Sequence, residues 1–151
     1  MSQSLSKLYV HIIFHIKNSS VKIVREIEDE LYAYMASIVK DNDSIPILIN
    51  GDKEHVHILC IMSKNISLAG LLEEVKGQSS RWVKKRYENY IHFKWQGGYA
   101  GFSVSKSLVE KTKKYIREQK KHHRKISFKE ELLEFLKAYD IDYNSHYLWE
   151  D

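Results

Sequence analysis

Hydrophobic and polar positions alternate from Lys7 to Lys17, which reads Lys-Leu-Tyr-Val-His-Ile-Ile-Phe-His-Ile-Lys. Successive strand side chains point to opposite faces. Leu8, Val10, Ile12, Phe14 and Ile16 therefore form a core face, with Tyr9, His11, Ile13 and His15 on the other. Asn18-Ser19-Ser20 marks a turn and a candidate helix cap. From Val21 to Lys40 the period lengthens, with Ile23, Ile27, Leu31, Tyr34 and Ile38 near helical spacing. Ile45 to Ile49 is a short apolar strand, with Pro46 making its start irregular. Asn50-Gly51 predicts a hairpin turn, widened by Asp52-Lys53. The returning arm, His55 to Met62, then pairs antiparallel with the first.

Ser67 caps a second helix running to about Tyr87, with Leu68, Leu71, Leu72, Val75, Ser79, Trp82 and Val83 as its stripe. Glycines among aromatics from His92 to Ser103 predict a bent loop leading into a strand near Tyr99 to Val104. Ser105-Lys106-Ser107 caps a third helix, Leu108 to about His122, and Ser127 to Tyr139 is a fourth. The closing stretch, Asp142 to Asp151, carries Tyr143, Tyr147, Leu148 and Trp149, which calls for packing on the body or on a partner. The order β-α-β-β-α-β-α-α predicts an α+β, ferredoxin-like sandwich. Its antiparallel sheet carries helices on one face and leaves the other open to a ligand, with a C-terminal helix and tail added.

Composition narrows this picture. The 151 residues suit one domain, 1–151, and 43% hydrophobic residues suffice for a core. A net charge of +4 admits nucleic acid as a partner without proving it. The single cysteine, Cys60, excludes a disulfide within the chain. Met1 to Lys7 lacks the basic-then-apolar pattern of a signal peptide, and no apolar run reaches the ~20 residues that span a bilayer. The expectation is a soluble cytoplasmic protein with no membrane partner.

Chemistry concentrates in Glu54-His55-Val56-His57-Ile58-Leu59. His55 and His57 share one face of their strand, opposite Val56, Ile58 and Cys60. Two imidazoles on a rigid strand form a pair of metal ligands that lacks a third or fourth. On the third helix, at about 100° per residue, Leu108, Val109, Thr112, Ile116 and His123 form a stripe. Gln119 falls inside it, with Tyr115 and His122 at its edge. Burying an unpaired amide costs on the order of 1–3 kcal/mol, so Gln119 needs a partner. Tyr115, four residues earlier, projects to the same region. A phenol and an amide oxygen facing the histidine pair would supply a nucleophile and the missing ligand.

His55-Val56-His57 and Tyr115-Ile116-Arg117-Glu118-Gln119 together resemble the HUH-type single-tyrosine transposases of small bacterial insertion sequences, a group with REP-associated relatives. The resemblance extends through Lys76-Gly77-Gln78-Ser79-Ser80-Arg81-Trp82, Trp95-Gln96-Gly97-Gly98-Tyr99, Phe102-Ser103-Val104-Ser105, His122-His123 and Tyr147-Leu148-Trp149, in the expected order. Glu54 departs from the family's usual Asp but keeps its charge. The resemblance implies an enzyme of DNA recombination that binds single-stranded DNA carrying a hairpin. It implies Mg²⁺ or Mn²⁺ on His55, His57 and Gln119, and attack by Tyr115 to give a 5′-phosphotyrosine link and a free 3′-OH. It also implies a homodimer formed by joining sheets, in which the tyrosine helix can serve the partner's histidines. No nucleotide cofactor is expected, and no Gly-x-x-x-x-Gly-Lys sequence occurs.

Other residues stay open to two readings. Lys76, Arg81, Lys84, Lys85, Arg86, Lys120, Lys121 and Arg124 are candidate DNA contacts or a solvated basic surface. His122 and His123 are extra ligands, DNA contacts or part of a basic turn. His11 and His15 are strand residues first. Trp95, Tyr99 and Phe102 stack bases or fill the core. The competing functions are a non-catalytic single-stranded nucleic-acid-binding module, a zinc-binding structural protein weakened by the lack of cysteines, and a domesticated enzyme acting on chromosomal repeats.

Overall fold

The structure, a computed structural model, describes residues 2–150; Met1 and Asp151, the ends of the expected domain, lie outside the described residues. Four strands form one antiparallel sheet, β1 (Leu8–His15), β2 (Ile45–Asp52), β3 (His55–Met62) and β4 (Ala100–Val104), in the order β2-β3-β1-β4. Two long helices, α1 (Arg25–Asp41) and α2 (Leu68–Arg86), pack on one face. The expected α+β class is the one observed.

The main core lies under those helices. Ile12, Phe14 and Ile16 from the first strand region meet Val56, Ile58 and Cys60 from β3. Ile27, Leu31, Met35 and Ile38 of α1 and Leu71, Leu72, Val75 and Val83 of α2 close over them. Ser67 caps α2 by accepting a hydrogen bond from the Gly70 N–H at 2.9 Å. No cap comes from Asn18-Ser19-Ser20, because α1 starts later, after Val24. Residues 21–24 lie outside any helix or strand instead, and the Ile23 N–H donates to the Lys53 carbonyl at 2.8 Å.

The expected turn at Asn50-Gly51 is displaced. Both residues belong to β2, pairing with His57 and Val56, and the turn falls at Lys53-Glu54. Gly51 is required by closeness. A Cβ there would lie 2.1 Å from the carbonyl oxygen of His55. The register shift expected near Pro46 is present between Pro46 and Leu48.

The second face of the sheet is not open. Three further helices lie on it, α3 (Val109–Arg117), α4 (Gln119–His122) and α5 (Phe128–Ala138). Val109 and Ile116 of α3 pack on Leu59, and Phe128, Leu132 and Leu136 of α5 pack on Ile13 and Phe102. Apolar residues on both faces of β1 and β3 dictate this double cover, since Ile13 and Leu59 are as buried as the main core. A short α6 (Ser145–Trp149) forms in the tail, and its Leu148 and Trp149 join the α5 cluster, whereas Tyr143 and Tyr147 stay exposed.

Candidate active site

His55 and His57 leave β3 on the face away from α1 and α2, and both are fully buried. The expected single third helix is two. α3 ends at Arg117, Glu118 leaves helical geometry with φ −95° and ψ 20°, and α4 begins at Gln119. Asn50 secures this break, its side-chain amide donating to the carbonyls of Ile116 at 2.9 Å and Arg117 at 3.3 Å. Orphan carbonyls at a helix end need such donors. β2 thereby holds the end of the helix that carries Tyr115.

Gln119 is fully buried and its amide is satisfied. The His55 Nε2–H donates to Gln119 Oε1 at 2.8 Å, and the Gln119 amide donates to Glu131 Oε2 at 3.0 Å. Glu131, on α5, is the centre of the site, and the sequence reading missed it. Its Oε1 lies 3.0 Å from His57 Nε2, 3.2 Å from His123 Nε2 and 3.5 Å from His55 Nε2. Its Oε2 accepts the hydroxyl of Tyr115. One clue was available, because Glu131 stands in the apolar stripe of α5 beside Phe128, Leu132 and Phe135. A carboxylate in such a stripe needs partners for the same reason as Gln119.

The electrostatics follow from burial. Burial, reinforced by the neighbouring His57, pushes His11 down to about 3, so it is neutral at physiological pH. His11 Nε2 lies 2.7 Å from His57 Nδ1, which fixes the His57 ring. Burial, with His57 alongside, likewise holds His55 well below the usual histidine range. Burial opposes ionisation of Glu131, but hydrogen bonds from His123 and His57 outweigh it and hold the carboxyl well below the usual range. Burial and the Glu131 charge raise the Tyr115 phenol well above its ordinary value. The hydroxyl therefore keeps its proton until an acceptor takes it.

The donor set suits a divalent cation. His55, His57 and Glu131 each offer one atom, and these atoms all lie within 4.8 Å of one another. Gln119 Oε1 faces the same cluster. The expected ligands and nucleophile are thus brought together within one chain.

The expected basic contacts are dispersed. α2 lies across the sheet from the site, so Lys76, Arg81, Lys84, Lys85 and Arg86 do not adjoin it. Lys76 donates to the Gln96 and Gly98 carbonyls, and burial lowers it to about 8. Arg81, Lys85 and Arg86 line a groove with Tyr34 and Trp82. Lys120 is tied to Glu28 at 2.7 Å and to the Gly51 carbonyl at 3.0 Å, whereas Lys121 and Arg124 are exposed near the site. Trp95 and Phe102 are core residues, and Tyr99 is exposed. The side chain of Glu54 is exposed at the hairpin turn.

Comparison with known proteins bears on the family and the fold. The family described as "Transposase IS200 like" matches residues 4–119. A solved structure of a transposase candidate from Deinococcus radiodurans R1 is 20% identical, with a TM-score of 0.60 over 79% of this chain and 98% of that one. A REP-associated tyrosine transposase bound to a REP hairpin is 13% identical, with a TM-score of 0.58 over 82% of this chain and 74% of that one. At such identities both likenesses concern the fold. No curated protein matches.

Proposed function

The chain belongs to the IS200-like transposase family, and from that premise we propose that it cuts and rejoins single-stranded DNA bearing a hairpin, through a 5′-phosphotyrosine intermediate on Tyr115. The observation that carries this reading is the meeting of the Tyr115 hydroxyl, the His55/His57 pair and Gln119 around one buried carboxylate. His55, His57 and Gln119, with Glu131 beside them, would hold a divalent ion, Mg²⁺ or Mn²⁺, which would supply Lewis-acid neutralisation of the phosphate charge.

The chain's own residues do the rest. Tyr115 Oη forms the bond to phosphorus as the bond to the 3′-oxygen breaks, and that oxygen leaves as a 3′-hydroxyl on taking a proton from solvent. The phenolic proton passes to Glu131 Oε2, which already accepts its hydrogen bond. Attack by a 3′-hydroxyl on the phosphotyrosine reverses the step and returns the phenol. The phosphodiester energy is kept in the covalent link, so no nucleotide is consumed. His11 holds the His57 ring, and Asn50 holds the helix end that carries the nucleophile.

A homodimer belongs to this proposal as an assembly of two such sites. Within one chain the Tyr115 ring centroid lies 5.9 Å from that of His57, which supports a site served by its own tyrosine.

The test is incubation with labelled single-stranded hairpin DNA, taken from the flanks of the gene, and Mn²⁺. A denaturant-resistant protein–DNA adduct is expected, lost in Tyr115→Phe and on chelation. An adduct that survives in Tyr115→Phe, or none with the unaltered chain, overturns the reading.

A further inference from the structure

We infer that the ion is held by three imidazoles rather than two, with His123 Nε2 joining His55 and His57 and Glu131 Oε1 completing the set, so that the site takes a first-row transition dication such as Mn²⁺ in preference to Mg²⁺. This rests on the metal reading above. His123 and Glu131 both lie beyond residue 119, where the family match ends. They are contributed by the part of the chain that covers the sheet's second face.

The argument begins with the His123 ring. Its Nδ1 is 3.1 Å from the Ile126 carbonyl oxygen. A carbonyl only accepts, so Nδ1 carries a proton. With a second proton on Nε2 the ring is the imidazolium that donates to Glu131; without that proton, Nε2 is a bare lone pair. That lone pair points at two acceptors, Gln119 Oε1 at 3.0 Å and Glu131 Oε1 at 3.2 Å. Three electron pairs converging in a dry site repel unless a proton or a metal cation lies among them. Metal-bound histidines usually donate their second N–H to a carbonyl or carboxylate, which fixes the tautomer. Ile126 does this for His123.

The remaining donors converge on the same place. His55 Nε2 is 2.8 Å from Gln119 Oε1, His57 Nε2 is 3.0 Å from Glu131 Oε1, and the His55 and His123 ring centroids are 4.5 Å apart. The side chain of His123 is 6% exposed, so it is not part of a solvated basic turn. Three nitrogens and one carboxylate oxygen, with Gln119 Oε1 beside them, form a set in which imidazole favours later first-row ions, while Mg²⁺ prefers all-oxygen ligands and keeps several waters. An imidazolium at His123 paired with Glu131 would fill the same space with a proton, and the experiment separates the two.

Mn²⁺ is added to the full-length chain, and imidazole nitrogens on it are counted by electron spin echo envelope modulation, with affinity measured by calorimetry. Three imidazoles are expected in the unaltered chain and two in His123→Gln, which should bind Mn²⁺ about ten- to hundredfold more weakly. Mg²⁺ at tenfold excess should displace little Mn²⁺. Two imidazoles in the unaltered chain, three persisting in His123→Gln, or ready displacement by Mg²⁺ overturns the inference. Two imidazoles that are lost in His55→Gln and His57→Gln leave the two-histidine metal reading standing, whereas no bound Mn²⁺ removes both. The count on the unaltered chain does not depend on any variant folding.

Discussion

His15 shows how one side chain records its surroundings. It points from β1 toward Phe128 and Trp149, whose ring centroids lie 5.2 and 5.9 Å away. Burial, then the positive charges of Lys76 and Lys129, lowers it to about 4. Its ordinary value near 6.5 applies in the unfolded chain. The folded state therefore binds fewer protons than the unfolded state between these values. The His15 contribution to stability is whole above about pH 6.5 and is lost as the pH falls toward 4. The ceiling is about 1.4 kcal/mol per pH unit. Thermal unfolding followed from pH 7 to 4 should show a shallower loss in His15→Phe than in the unaltered chain. Equal slopes would mean that His15 is solvated. His55, His57, Tyr115 and Gln119 were legible in the sequence because strand and helix periods place side chains without tertiary information. Gly51 carries only the local signal of a turn former, because the close approach of the His55 carbonyl belongs to strand pairing, which a local signal does not contain.

Helices α3, α4 and α5 show where periodicity ends. The stripe through Ile116, Gln119 and His123 describes one helix, yet the chain leaves helical geometry at Glu118. The cause, the Asn50 amide, is 66 positions away in sequence. No windowed pattern contains that contact. α5 was legible as a helix, and Ser127 caps it by accepting from the Glu130 N–H at 3.2 Å. Its destination was not legible, and so the sheet's second face was expected to be open. Phe128, Leu132 and Leu136 seat α5 over that face, with Glu131 between them aimed at the histidines. Diethyl pyrocarbonate should accordingly modify exposed His92 and His146 quickly and His55 and His57 slowly in the ion-free protein. Leu132→Ala removes a buried anchor, a change that commonly costs 2–5 kcal/mol. It should speed modification at His55 and His57 by about tenfold or more through local opening. If mass spectrometry shows no change in rate, α5 is not what shields them.

At the scale of the molecule, the site joins parts that the core alone keeps separate. His57 comes from the sheet, Gln119 from α4 and Glu131 from α5. An ion bound by the folded state alone stabilises it by about 2.7 kcal/mol at a hundredfold excess over its dissociation constant. For a chain of this size that is a rise of about 5–10 °C in unfolding temperature. Calorimetry with Mn²⁺ should show the rise, and EDTA or His57→Gln should abolish it. An unchanged temperature under saturating Mn²⁺ would show that the fold does not depend on the ion. Among the described residues no helix is long and apolar enough to cross a membrane.

The position of Glu131 also has a meaning in time. A chain leaves the ribosome from its N-terminus, at about 5–20 residues per second. The histidine strand emerges before Tyr115, and the carboxylate that accepts the hydroxyl of Tyr115 comes only with α5. A nascent or prematurely ended chain thus presents its tyrosine without that acceptor. The proposed reaction would then wait until α5 has been made.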